Sequence, residues 1–176
     1  RLADGEEAAI SPDGTKIAYT LLDSASGFGE IWTMNLDGSN QTRLTINGFE
    51  DWFPQWTRDG TKIVFSSDRN GTNFDVFIMN ANGSGATNIT NSTGFDEFGV
   101  AASPDGTQVA FTALVTGVNL EDNGVYRIDV AGTGRIALRK VTNINFGIAW
   151  SPGGSTRPGA ESRAIMLPGK RLRRGR

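Results

Sequence analysis

Acidic and aromatic side chains stand together at two places in the sequence, 46 residues apart, where they could bind another molecule. Carboxylates attract cations, and aromatic rings supply the apolar contact area that protein interfaces favour. The predicted chemistry is therefore recognition of a basic segment of a protein or peptide partner. The alternative is that the rings wedge between structural units while the acids are solvated. The candidate residues are Glu50, Asp51, Trp52, Phe53, Asp96, Glu97 and Phe98.

A second group of oxygen-bearing side chains lies between these two stretches. Asp68, Asn70, Asn73 and Asp75 are candidate calcium ligands, because Ca²⁺ binds carboxylate and amide oxygens. Their spacing is not that of the twelve-residue calcium loop, which ends in glutamate. A hairpin between two strands accounts for the same residues without a metal.

The residue types that are missing narrow the chemistry further. The 176 residues include no His and no Cys. A Ser-His-Asp triad, a histidine-ligated zinc and a cysteine nucleophile therefore cannot be built from this chain alone. Catalysis would have to use carboxylates only, and no pair of them is distinguished from turn residues. The sequence thus favours a binding protein over an enzyme and predicts no catalytic residue and no cofactor.

The charge is divided unevenly along the chain. Residues 1–152 contain 10 Lys and Arg against 18 Asp and Glu, a net charge of −8, whereas residues 153–176 carry +6. An acidic body repels polyphosphate, so specific nucleic-acid binding is not expected.

Residues 153–176 form a basic tail rich in Gly, Pro and Arg, and Arg171–Arg176 is predicted to be disordered. No run of 18 apolar residues is present, so no membrane span is predicted.

One nine-residue pattern recurs along the chain and organises everything else. Ser11–Tyr19 returns as Thr57–Phe65 and Ser103–Phe111, and a fourth copy starts at Ser151. The glycines of these copies stand at 14, 60, 106 and 154, with spacings of 46, 46 and 48 residues. Each pattern places Asp and Gly, usually after Pro, before an apolar run, which indicates a tight turn that opens onto a strand. Such periods are typical of solenoids and propellers.

Four short β-rich runs follow one another in each copy, and none of them has a helical pattern. The strands carry apolar residues on both faces, so each sheet should be covered on both faces by its neighbours. The predicted fold is all-β, with four-stranded antiparallel sheets packed in series. Residues 1–152 form the repeat domain, in which the units cover about 6–45, 53–90, 99–142 and, in part, 146–152.

The repeat resembles the TolB-type β-propeller repeat. The resemblance rests on the turn Ser11–Lys16, the strands Ile17–Tyr19 and Ile31–Asn35, the turn Asp37–Asn40 and the segment Thr42–Thr45. It implies radial blades whose first strands line a channel, and a noncatalytic, periplasmic or otherwise extracytoplasmic scaffold that binds proteins. The alternative is the substrate-gating propeller of a prolyl-oligopeptidase-like serine peptidase whose catalytic domain is not in this sequence.

The number of repeats leaves the ring incomplete. Known propellers have about four to eight blades, and this chain holds three and the start of a fourth. The sequence starts and stops within repeats, which favours a fragment of a longer protein over self-association of partial rings. An arc of three blades would leave the outer faces of the first and third sheets uncovered. The faces that carry Ile17, Tyr19, Val109 and Phe111, or their reverse sides, are predicted to mediate self-association unless residues 153–176 cover one end.

Overall fold

The computed structural model describes residues 6–71, 73–115, 122–140, 147–150 and 164–167, which are almost entirely strand and turn. Three antiparallel sheets each hold four strands in chain order, and a two-stranded sheet follows. Each repeat is therefore one blade, and the predicted all-β fold with four-stranded blades in an incomplete ring is confirmed.

Blade 1 comprises β1 (Glu6–Ile10), β2 (Lys16–Leu22), β3 (Gly29–Asn35) and β4 (Thr42–Arg43). Blade 2 comprises β5 (Asp51–Trp56), β6 (Lys62–Ser67), β7 (Asp75–Asn80) and β8 (Thr87–Asn88). Blade 3 comprises β9 (Phe95–Ala102), β10 (Gln108–Val115), β11 (Gly124–Asp129) and β12 (Ile136–Lys140).

A tight turn joins the first two strands of each blade, and an aspartate holds it closed. In blade 1, Asp13 Oδ1 accepts hydrogen bonds from Ser11 Oγ at 2.6 Å and from the backbone N–H of Thr15 at 3.0 Å. The Ser11 hydroxyl is the largest cause that lowers the pKa of Asp13 below its usual value. Gly14 has a φ of 72°, a conformation that glycine adopts without strain. Asp59 in blade 2 and Asp105 in blade 3 accept the equivalent hydrogen bonds within their own turns.

The first strands start earlier than the sequence predicts. Blades 2 and 3 were expected to begin at about residues 53 and 99, but β5 begins at Asp51 and β9 at Phe95. A bulge explains the difference, because it interrupts the regular alternation by which a strand is recognised. The bulge places Glu7, Phe53 and Gly99 at equivalent positions with φ of 55°, 59° and 60°.

Blade 2 is covered on both faces by its neighbours. Two of its fully buried residues, Phe65 and Val64, point to opposite faces. The Phe65 face packs with Ile63, Phe77 and Met79 against Ala9, Ala18 and Ile31 of blade 1. The Val64 face packs with Val76, Ile78 and Ile89 against Val100, Val109, Phe111 and Ile128 of blade 3. The core thus consists of layers between blades, as the apolar character of both strand faces predicts.

Of the two faces of blade 3 that were candidates for the open end of the three-blade arc, the one that carries Val109 and Phe111 is not at that end. Both are completely buried, because their face of blade 3 is the one that meets blade 2. The reverse face, which carries Ala110 and Val125, packs against Ile148 of the next unit. Ile17 and Tyr19 lie on the face of blade 1 opposite to Ala18, which packs against blade 2, so they are on the predicted outer face. They are nevertheless buried there, with 8% and 1% of their surface exposed.

The fourth unit consists of two strands within the described residues. They are β13 (Gly147–Trp150) and β14 (Ala164–Leu167), which pair in antiparallel fashion. Trp150 Nε1 donates to the carbonyl of Ala101 at 2.8 Å, and the equivalent Trp56 Nε1 donates to that of Ala9 at 3.2 Å. The predicted disorder of Arg171–Arg176 lies outside the described residues. None of the described segments is a helix of the length and apolarity needed to cross a bilayer.

Candidate partner-binding rim

Two ends of the arc can be distinguished by the loops that they carry. Each first strand starts at one end, which we call the loop face, and runs to the tight turn at the other end, which we call the turn face. The first strands β1, β5, β9 and β13 contact one another in sequence and form the inner side of the arc. All seven predicted rim residues lie at the loop face, in β5, β9 or directly before β5.

Three half-buried phenylalanines form a cluster across the boundary between blades 2 and 3. The ring of Phe98 lies 5.9 Å from that of Phe53 and 4.7 Å from that of Phe74. Trp52 packs against the backbone of Gly29 in blade 1, so closely that a Cβ atom on Gly29 would lie 2.7 Å from the indole. These aromatic residues therefore wedge between blades while part of each ring faces solvent.

Glu50 and Asp96 each accept a hydrogen bond from the backbone of the preceding blade. Glu50 Oε2 accepts hydrogen bonds from the N–H of Gly29 and from Trp52 Nε1, both at 2.7 Å. Asp96 Oδ1 accepts one from the N–H of Phe74 at 3.1 Å. Gly29 and Phe74 occupy equivalent places at the start of the third strand, so the same contact links blades 1 and 2 and blades 2 and 3.

Asp51 is buried and fully paired. Its two oxygens lie 2.9 and 3.0 Å from the terminal nitrogen Nη2 of Arg69, and Oδ2 also accepts from Asn47 Nδ2 at 2.8 Å. The guanidinium of Arg69 lies 5.1 Å and 4.8 Å from the ring centres of Phe65 and Phe77. A carboxylate out of contact with water requires such a partner, because burial disfavours its charge.

Glu97 occupies the position equivalent to Asp51 and has an arginine of its own. Arg135 Nη1 donates to Glu97 Oε1 at 2.7 Å, and the guanidinium stacks near the rings of Phe95, Phe111 and Tyr126. Glu97 Oε2 and Arg135 Nη2 are both buried without a hydrogen-bond partner among the described residues. Burial is the largest effect on Glu97 and raises the pKa of its carboxyl, although the charge of Arg135 opposes the shift.

The two arginines were not predicted from the sequence. Arg69 lies in the loop between β6 and β7, whereas Arg135 directly precedes β12. Because the two arginines do not occupy equivalent positions of the repeat, comparing the copies does not show that both pair with a buried carboxylate. The signal that could have revealed the pairing is an acidic residue at an equivalent position in each of two first strands, since a buried acid needs a cation.

Three of the four candidate calcium ligands are joined by hydrogen bonds. Asn70 Nδ2 donates to Asp75 Oδ2 at 3.1 Å, and Asn73 Nδ2 lies 3.4 Å from Asp75 Oδ1. Asp68 is turned to another partner, because its Oδ1 accepts from the N–H of Glu50 at 2.8 Å. Burial is the largest cause that raises the pKa of Asp68. The structure thus brings Asn70, Asn73 and Asp75 together and leaves the calcium interpretation an untested prediction.

Comparison with known proteins agrees with the architecture. The family described as "TolB beta propeller domain" matches residues 6–155. The chain belongs to this family. A solved structure described as putative TolB from Agrobacterium tumefaciens superposes with a TM-score of 0.68 and 24% identity, covering 78% of this chain and 51% of that one. This similarity concerns the fold alone.

Two curated relatives of this TolB-family chain differ in their names. A "Protein TolB homolog" of Chlorobium luteolum is 40% identical over 108 residues, which are 60% of this chain and 23% of the relative. A "Dipeptidyl-peptidase 5" of Porphyromonas gingivalis is 34% identical over 70 residues, which are 38% of this chain and 10% of the relative. The chain thus spans less than a quarter of either relative.

Proposed function

We propose that this chain is a noncatalytic, extracytoplasmic scaffold of the TolB type, or a part of one, that binds a protein segment at the loop face. The observation that carries the proposal is the phenylalanine cluster of Phe53, Phe74 and Phe98, which is partly exposed at a boundary between blades. Aromatic residues, phenylalanine included, are enriched in the cores of protein interfaces. The location is proposed from the similarity to a TolB homolog.

The carboxylates give the rim a negative field. Glu50 and Asp96 are only half-buried and accept bonds from neutral N–H groups, so their charge is not balanced by a bonded cation. Asp51 and Glu97 are buried and paired with arginines, so they support the rim without facing a partner. The proposed partner segment therefore carries both apolar and basic side chains.

Binding of a defined peptide tests this proposal. The probe is a twelve-residue peptide in which Lys alternates with Leu, and fluorescence anisotropy of a labelled copy measures its affinity. We expect Phe98→Ala to weaken binding about tenfold, since truncating an aromatic anchor costs more than about 1 kcal/mol. Leu36→Ala is the matched control, because Leu36 is 48% exposed but follows β3 at the turn face. Equal loss in both variants, or unchanged binding by Phe98→Ala, contradicts the proposal.

A second candidate is the gating propeller of a serine peptidase, and the similarity to dipeptidyl-peptidase 5 favours it. In that case the catalytic serine, aspartate and histidine are supplied by other sequence, since this chain has no His. The complete reading frame discriminates between the two functions. A following Gly-x-Ser-x-Gly segment with Asp and His supports the peptidase, whereas a leader and a small preceding domain support the scaffold.

A further inference from the structure

The outer strand of blade 3 differs from those of the other two complete blades. In blades 1 and 2 the fourth strand has two residues, Thr42–Arg43 and Thr87–Asn88. In blade 3 it has five, Ile136–Lys140, and pairs with β11 as far as Gly124↔Lys140. The same repeat therefore ends in a short outer strand twice and in a long one once.

A buried carboxylate explains why the outer strand of blade 1 is short. Glu30, at the start of β3, accepts hydrogen bonds from Thr45 Oγ1 at 2.6 Å and from Arg43 Nη2 at 2.8 Å. Thr45 Oγ1 in turn accepts the N–H of Ile31 at 2.9 Å, a group that would otherwise bond to a longer fourth strand. Side chains thus replace the outer ladder and turn the chain toward the next blade.

Blade 2 repeats this arrangement and blade 3 lacks it. Asp75 is the equivalent of Glu30, and Thr90 Oγ1 accepts the N–H of Val76 at 3.0 Å. Blade 3 has Gly124 at this position, where a Cβ atom would lie 2.5 Å from the carbonyl oxygen of Arg139. The absence of a side chain at Gly124 is what lets the fourth strand of blade 3 continue alongside β11.

The long outer strand is an open edge. All five residues of β12 are exposed, and Ile136 and Leu138 retain 46% and 43% of their accessible surface. Among the described residues β12 pairs with β11 alone and ends the sheet, and a bulge interrupts this pairing between Val125 and Tyr126. In an antiparallel edge strand, alternate residues direct their N–H and C=O groups away from the neighbour. Such unpaired backbone groups are sites at which another strand can pair.

Basic side chains flank this edge. The register pairs Arg127 with Ile136 and Val125 with Arg139, so both arginines lie on the same face of the sheet as Ile136. The fourth unit packs against β9 and β10 of this sheet, and its Ile148 also contacts Val125 of β11 on the face that carries the two arginines. The cations contrast with the net charge of −8 of residues 1–152.

We propose that β12 is a docking edge for an extended, acidic segment of a partner protein, which adds to blade 3 as a fifth antiparallel strand. Backbone hydrogen bonds supply affinity that is independent of side chains, as in other cases of strand addition. Apolar residues of the added strand pack beside Ile136 and Leu138, and its carboxylates pair with Arg127 and Arg139. The site lies on the outer rim and does not depend on binding at the loop face.

Two matched peptides test the edge. One is a twelve-residue peptide in which Glu alternates with Val, and the other has Lys in place of every Glu. We expect the acidic peptide to bind and to slow amide hydrogen exchange in β12, because the N–H groups that this strand directs away from β11 become bonded. We expect Arg127→Glu combined with Arg139→Glu to weaken its binding about tenfold, since two cross-strand charge pairs become repulsive.

A second charge variant separates a specific edge from general attraction. Lys16→Glu combined with Lys62→Glu changes the net charge equally, and both lysines are exposed at the turn face. We expect this variant to bind the acidic peptide within twofold of the unaltered chain. Equal loss in both variants, or binding without protection of β12, overturns the proposal. Protection of β12 in the protein alone that grows with its concentration also overturns it, because the occupant is then a second copy.

Discussion

At the scale of single residues, the acidic positions of the two first strands have divided roles. Asp51 and Glu97 are completely buried beside arginines, whereas Glu50 and Asp96 are half-buried and bond to the preceding blade. A buried charge is costly unless an opposite charge is paired with it, so each of these two carboxylates requires the arginine beside it. Partner binding by the acidic and aromatic rim stays a prediction.

Glu97 gives a residue-scale prediction about pH. Its folded-state pKa is raised above the ordinary value of 4.5, chiefly by burial. Folding therefore favours the protonated carboxyl, and the associated stability is present below about pH 4.5 and is lost as pH rises through the folded pKa. Relative to Glu97→Gln, which does not titrate, the free energy of unfolding of the unaltered chain should fall as pH rises above about 4.5. Urea denaturation of both proteins at several pH values measures this difference.

Asp105→Asn is the control with the opposite sign. The Ser103 hydroxyl, followed by the N–H of Thr107, holds the pKa of Asp105 below its usual 3.8. The stability that Asp105 adds is therefore present above about pH 3.8 and is lost as pH falls through the folded pKa. A difference curve for Glu97→Gln that is flat or that rises with pH contradicts the assigned burial effect.

At the scale of strands, the bulge in each first strand places its start at the loop face. The bulge residues Glu7, Phe53 and Gly99 all have positive φ, which costs a residue with a side chain about 1 to 2 kcal/mol. In Phe53 this conformation directs the ring toward Phe98, with which it makes an edge contact. The bulge in β5 therefore positions the ring of Phe53 for its contact with Phe98 in the aromatic cluster.

The bulge of blade 3 gives an element-scale prediction. Gly99→Ala should lower the free energy of unfolding by roughly 1 to 2 kcal/mol, because Gly99 has a φ of 60°. Gly48→Ala is the matched control, since a Cβ atom there meets nothing within 4 Å and its φ is not positive. We expect the control to change stability by less than about 0.5 kcal/mol. Denaturation midpoints measure both, and equal effects contradict the argument.

At the scale of the whole molecule, stability depends on contacts between blades more than on any blade alone. A single sheet is apolar on both faces, and blade 2 buries both of its faces against its neighbours. Self-association of the arc stays a prediction. Val109 and Phe111 are not available for self-association, because both are buried against blade 2.

Phe65→Ala tests the packing between blades 1 and 2. Phe65 is completely buried and lies 5.8 Å from Phe77 in the layer between the blades. Removing the ring should cost about 3 to 5 kcal/mol of unfolding free energy, because a cavity remains in a closely packed layer. Phe49→Ala, at a ring that is 38% exposed, should cost less than about 1 kcal/mol. Chemical denaturation compares them, and a similar cost for both variants contradicts a core made of blade contacts.

The sequence alone determined the blades, because turn chemistry and strand alternation are local. Asp13 and Gly14 define a turn wherever they occur, and copies 46 residues apart therefore define units. It also excluded histidine and cysteine chemistry, since no fold can supply an absent side chain. Only the tertiary structure decided the partners of Asp51 and Glu97, because Arg69 and Arg135 reach them from non-equivalent loops. The tertiary structure likewise showed that β12 is an open edge, since the effect of Gly124 depends on which backbone lies beside it.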